Sequence, residues 1–268
     1  MNKVSVAIMF TTALVACGAQ GPAAGRVRID SPLKSQPAVP SIGMYGDSTM
    51  LGITKETGEY AVTSRNAPAQ LQAMLSAAGY QVTVTNHGVS GSASYDLLNG
   101  TGGFPRSWVA EMKSTPPTAV VINMGLNDAA LIMTKWDTVA NFKATMNQLV
   151  KIAQQQGKTV FIETPNPRND KFSSSLMDQI AVADLQVVRE NRGTLLIDQY
   201  ARIQADMPNW RQNLPDRIHP DDVLYTFKAS VEFSSIMQIL TLPAAPGPNS
   251  AHQRKAARQH SDQRPMSH

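Results

Sequence analysis

Apolar and polar positions along the chain switch between two periods from about residue 40 to residue 240. Five short runs are continuous or alternate with period two, as buried strands do. They are the run through Val39, Ile42 and Met44 to Gly46, then Gln81–Asn86, Ala119–Met124, Thr159–Ile162 and Leu195–Ile197. Between them, apolar residues recur at helical spacing. Pro68 opens a stripe of Leu71, Met74, Leu75 and Ala78 that stops at Gly79, with proline and glycine where a helix tolerates them. A short helix is expected around Tyr95–Leu98 and another around Trp108–Met112. Long ones are expected over Asp137–Gln156, Ser175–Asn191 and Asp222–Leu240, and Gln199–Asp206 reads as helical. Five apolar strands alternating with helices predict an α/β fold: a five-stranded parallel sheet covered on both faces, in three α/β/α layers.

The two ends do not share this pattern. Residues 1–17 read as an export signal: Lys3, an apolar segment from Val4 to Val15, and a small-residue cleavage region ending at Cys17. The segment is too short to span a bilayer as a helix. Leu14-Val15-Ala16-Cys17 resembles the lipobox of bacterial lipoproteins, which implies lipidation at Cys17 and a membrane-anchored, exported protein. Gly18, rather than Asp, after the cysteine fits sorting to the outer membrane or cell surface. The alternative is an ordinary signal and a secreted or periplasmic product. Cys17 is the sole cysteine, so no disulfide framework is expected. Residues 18–40, rich in Gly, Pro, Ala and Ser, read as a flexible linker to a domain over 41–242. Residues 243–268 read as a disordered basic tail.

Charge changes little. The net +4 comes from Lys3 in the leader and from Arg254, Lys255, Arg258 and Arg264 against Asp262 in the tail. A body near neutrality gives no electrostatic reason to expect nucleic acid as partner.

Candidate chemistry sits where strands end. Gly46-Asp47-Ser48-Thr49 closes the first strand, and ligands of open α/β sheets bind at that edge. A serine there becomes a useful nucleophile only when an imidazole takes its proton. Of five histidines, His252, His260 and His268 lie in the tail, leaving His87 and His219. His219 follows Asp216 by three residues in a polar turn, so the carboxylate can hold Nδ1 and leave Nε2 for Ser48. His87 has no Asp at such spacing and reads as structural or substrate-lining. Two further loops offer donors for an oxyanion: the glycine-rich Asn86-His87-Gly88-Val89-Ser90-Gly91, and Gly125-Leu126-Asn127-Asp128 with its side-chain amide. Each is an ordinary βα connection alone. Three polar loops at one sheet edge are a constellation. Asp47 and Asp128 are expected to hold their loops in shape. Leu51, Ile53, Leu131, Ile132 and Met133 follow these blocks and read either as core contacts, the favoured assignment, or as walls of an acyl pocket.

The four blocks resemble the SGNH (GDSL-type) hydrolases: Ser48 in Gly46-Asp47-Ser48, Gly91 in Asn86-x-Gly88-Val89-Ser90-Gly91, Asn127 in Gly125-x-Asn127-Asp128, and His219 in Asp216-x-x-His219. They occur in that family's order over about 40–241. Thr49 stands where the older family name expects leucine. The resemblance implies a flavodoxin-like sheet and hydrolysis of esters or thioesters without metal or cofactor. Ser48 would be nucleophile, His219 general base and then acid, and Asp216 its orienting carboxylate. The oxyanion hole would be the Ser48 and Gly91 amides with the Asn127 side chain. Substrate remains the open point. The absence of a long insertion favours a shallow groove and short acyl groups, and export would bring glycans within reach, so O-acetyl removal is favoured over lysophospholipase or thioesterase activity. A non-catalytic surface lipoprotein on the same scaffold is the reading of another class.

Overall fold

The computed structural model describes residues 41–241, apart from Thr57, 115–116 and 171–173. The expectations for the signal, Cys17, the linker and the tail therefore lie outside the described residues. The chain runs β1 (Ser41–Gly46), α1 (Ser48–Leu51), β2 (Ile53–Thr54), β3 (Ala61–Val62), α2 (Ala67–Ala77), β4 (Thr83–Gly88), α3 (Ser94–Asn99) and α4 (Trp108–Ser114). It continues through β5 (Ala119–Asn123), α5 (Leu126–Met133), α6 (Val139–Gln155), β6 (Thr159–Glu163), α7 (Ser174–Glu190), β7 (Leu195–Ile197) and α8 (Gln199–Asp206). A 3₁₀ turn (Trp210–Asn213) and α9 (Asp222–Thr241) complete it.

The five expected strands form one sheet in the order β4-β1-β5-β6-β7, with every adjacent pair parallel. Numbered among themselves, these strands run 2-1-3-4-5, the flavodoxin-like doubly wound order. The pleat sorts the side chains. Tyr45, Val120, Ile122, Val160 and Ile162 enter a core with Trp108, Phe142, Leu149 and Ile180 of the helices on one face. Ile42, Met44, Val121, Phe161 and Ile197 pack on the other with Leu71, Leu75 and Ile236 of α2 and α9. Burying each such aliphatic side chain contributes about 1.5–3 kcal/mol.

Strand β1 is internal, hydrogen-bonded to β4 and β5, and its C-terminal end lies at the point where the strand order reverses. That is where this architecture opens a crevice. Two differences from expectation shape the crevice. First, β4 extends through His87 to Gly88, pairing Tyr45 with His87 and Gly46 with Gly88, so the glycine-rich loop is shorter than the sequence suggested. The cause is satisfaction of the polar residues: the Asn86 amide donates to the carbonyls of Met50 (2.9 Å) and Leu51 (3.3 Å), and the His87 ring stacks on Tyr45 at 4.5 Å. A Cβ at Gly88 would stand 2.1 Å from the Leu51 nitrogen, so only glycine lets β4 pass this close to α1. Second, an antiparallel hairpin of β2 and β3 follows α1, and α5 occupies the stretch after β5. Neither element was expected.

Candidate active site

Ser48 stands one residue beyond the strand–turn junction, as the first residue of α1. The turn is fixed by Asp47, whose Oδ1 accepts from the Thr49 amide (2.8 Å) and hydroxyl (2.9 Å) and so caps the short helix. Val89 donates its amide to the Gly46 carbonyl at 2.9 Å, which ties the neighbouring loop to the same turn. Burial pushes the Asp47 carboxyl above its usual range, while the Thr49 donors act in the opposite direction. Behind it lie further buried ionisable groups: Lys228 Nζ is 3.5 Å from Glu163 Oε1, and Glu232 of the next α9 turn is fully buried beside them, its carboxyl pushed well up by burial.

His219 reaches Ser48 from 171 positions away in the chain, with Nε2 2.9 Å from Oγ. Its other nitrogen, Nδ1, is 2.6 Å from Asp216 Oδ2. Asp216 Oδ1 accepts from the amides of Ile218 (3.0 Å) and His219 (2.7 Å), so one carboxylate shapes the turn with one oxygen and faces the imidazole with the other. Burial raises the Asp216 carboxyl, but its hydrogen bonds from the His219 ring, the His219 amide and the Ile218 amide outweigh that and hold it below the ordinary range. Arg217 takes a left-handed conformation, φ 74°, between the two. Its carbonyl accepts the Asn169 amide at 2.8 Å, and Asn166 donates to the Ile218 carbonyl at 3.1 Å. The loop after β6 therefore clamps the histidine turn.

The two donor loops meet at the same edge. Gly91 has φ +77°, and a Cβ there would meet nothing within 4 Å. Backbone conformation alone demands glycine there, and the space beside it is open to a ligand. Asn127 lies in the first turn of α5 and donates through Nδ2 to the Ser92 carbonyl at 2.8 Å. A side-chain amide carries two N–H donors, so one remains for a ligand. Asp128 accepts from the Ser94 amide (3.0 Å) and hydroxyl (2.6 Å), binding α5 to the start of α3. Burial, opposed by those hydrogen bonds, pushes it up to about 6. The amide of Ser48, as the first residue of a helix, has no intrahelical partner.

All the residues expected at the site from Ser48 to His219 thus gather at one end of the sheet, with the proton path Ser48–His219–Asp216 within hydrogen-bonding distance throughout. His87 is not part of that path. Its ring packs between the Tyr45 face and a pocket shared with Phe104 and Trp108, and burial lowers its basicity, against the opposing charge of Glu111. The expected apolar residues divide: Ile132 packs on the core, Leu131 and Met133 are exposed on α5, and Leu51 and Ile53 are half-buried. Two participants escaped the sequence reading. Asn166 carried no motif beyond a strand end. Tyr60, at the end of the hairpin loop, places its ring edge-on to that of His219, with centroids 5.8 Å apart.

A serine hydroxyl, an imidazole and convergent amide donors form a constellation that can attack a carbonyl and hold the resulting oxyanion. Comparison with known proteins agrees. In fold, the chain is similar to an α/β hydrolase from the metagenome of Lake Arreo, with 20% identity and a TM-score of 0.58 over 74% of this chain and 95% of that one. It is likewise similar to an acetylxylan esterase from Geobacillus stearothermophilus, with 19% identity and a TM-score of 0.57 over 78% and 98%. Two further matched structures are catalytic mutants of that esterase, one a serine and one an aspartate changed to alanine. No curated protein matches in sequence. The sequence matches the family of GDSL-like lipases and acylhydrolases over residues 44–226, and the chain belongs to that family, as a serine hydrolase acting on ester bonds.

Proposed function

We propose that the protein is an esterase working through an acyl-enzyme on Ser48, and that its substrates are short acyl esters, acetyl groups on glycans above all. The observation that carries this reading is the unbroken contact from Asp216 through His219 to Ser48. Ser48 Oγ attacks the ester carbonyl and passes its proton to His219 Nε2. The oxyanion is held by the amides of Ser48 and Gly91 and the second N–H of Asn127. Collapse breaks the bond to the alcohol oxygen, which leaves with the proton from His219. A water then gives His219 a proton and attacks the acyl carbon, releasing the carboxylic acid and restoring Ser48. The carboxylate of Asp216, held below its usual range, remains ionised and keeps Nδ1 protonated throughout.

Two features support short acyl groups: Leu131 and Met133 lie exposed rather than walling a deep acyl tunnel, and fold neighbours include acetylxylan esterases. An acyl-chain-length series, run beside acetylated xylo-oligosaccharides, tests the assignment. Turnover is expected to be greatest for acetyl and to fall with chain length. A maximum at long acyl chains, or on acyl thioesters, would replace it with lipid or thioester hydrolysis. Asn127→Ala is expected to lower kcat by about 10²–10³, the usual effect of removing one oxyanion donor, in steady-state assays on an acetyl ester. Loss of less than tenfold would remove Asn127 from the oxyanion site.

A further inference from the structure

The histidine fixes where the two halves of an ester must lie. His219 hands its proton to the departing alcohol oxygen, so the alcohol half of the substrate has to sit on the His219 side of the scissile bond, with the oxyanion donors across from it. Tyr60 is the ring found there. It stands edge-on to the imidazole at 5.8 Å and is 60% exposed, although an apolar ring of that size gains by being covered. Lys55, from the other end of the same hairpin loop, holds its ammonium 4.7 Å from the centre of the ring. The loop is Lys55-Glu56-Thr57-Gly58-Glu59-Tyr60. Its two glutamates outnumber the lysine, so it would repel an anionic alcohol such as a phosphorylated headgroup.

From this placement we propose that Tyr60 and Lys55 form the alcohol-side subsite and that it takes an uncharged sugar ring. The Lys55 ammonium lies over one face of the tyrosine ring and holds the ring in place, and the C–H face of the sugar covers the other. This rests on the esterase reading above and adds what selects the alcohol. The tyrosine acts as a specificity determinant that touches substrate, and the β2–β3 hairpin, absent from the sequence reading, exists in this account to carry it.

The test compares acetylated xylo-oligosaccharide with ethyl acetate, whose alcohol is too small to reach the ring. For Tyr60→Ala in the full chain, the ratio of kcat/KM on the glycan to that on ethyl acetate is expected to fall about tenfold. Tyr60→Phe, which keeps the ring, should restore most of it. Unacetylated xylo-oligosaccharide, the alcohol product, should inhibit ethyl acetate turnover by the native protein competitively, and Tyr60→Ala should weaken that inhibition by a similar factor. If Tyr60 merely props His219, both substrates lose equally and the ratio stays fixed, which overturns the proposal. So does a native protein that the xylo-oligosaccharide does not inhibit, or one inhibited better by glycerol phosphate. Failure of the esterase reading is distinct: it would appear as no turnover of ethyl acetate, with product binding still measurable by calorimetry on the native and Tyr60→Ala proteins.

Discussion

Ser48→Ala is expected to lower kcat on an acetyl ester by about 10⁶-fold, the loss seen when a serine protease with the same Ser-His-Asp arrangement on another fold is deprived of its nucleophile. The substitution removes the attacking oxygen and, with it, the proton that His219 Nε2 faces at 2.9 Å. Little else changes. Ser48 is 7% exposed, its backbone keeps the capped turn set by Asp47, and alanine is a good helix former for α1. Thermal unfolding should therefore be nearly unchanged, which separates a chemical defect from a folding one. The variant should also refuse a fluorophosphonate label that the native protein takes up. Native turnover in folded Ser48→Ala protein, or labelling that persists in it, would move the nucleophile elsewhere; a native protein that takes no label would favour a binding scaffold.

Asp216→Asn is expected to cost about 10⁴ in kcat, as loss of the orienting carboxylate does in a serine triad. The geometry gives a specific reason. Oδ1 accepts two backbone amides, so an asparagine keeps its carbonyl oxygen there and turns its NH₂ toward His219 Nδ1. Two donors cannot face each other, and the imidazole responds by moving its proton to Nε2. That is the nitrogen required to accept the Ser48 proton. The base is then present, correctly placed and in the wrong tautomer. KM should change little, and the loss should be measured as kcat under saturating ester. A loss below tenfold would mean that Asp216 serves the turn and not the imidazole.

The site was largely legible because three of its four blocks adjoin a strand whose pattern is strong, while Asp216 and His219 announce themselves by their spacing in a polar turn. Val120 to Ile122 is fully buried, reads as nothing but a strand, and so delivers Asn127 to the sheet edge. Legibility failed where contacts rather than periods decide. The hairpin strands are two residues each, too short for any period, and Tyr60 went unnoticed with them. Helix α5 carries Asn127-Asp128 in its first turn and apolar residues on several sides, so it reads as a loop followed by core. Lys228 and Glu232 are spaced i, i+4 on α9 and look like a solvated ion pair, yet both are buried. Their partner Glu163 comes from β6, and no local pattern announces a contact across that distance. The same holds for Asn166, whose value lies in reaching the Ile218 carbonyl.

The separation of 171 positions between Ser48 and its base has a consequence for how the protein comes into being. The nucleophile directly follows β1, the first of the described strands, while the base arrives only with the loop before α9. Contacts so distant in sequence close late, after the intervening chain has paid its loop entropy. A growing or half-folded chain therefore carries a serine with no means of activation, unable to hydrolyse esters it meets before maturity. Recovery of esterase activity after dilution from denaturant should trail recovery of helical signal, since only the complete molecule switches its own nucleophile on.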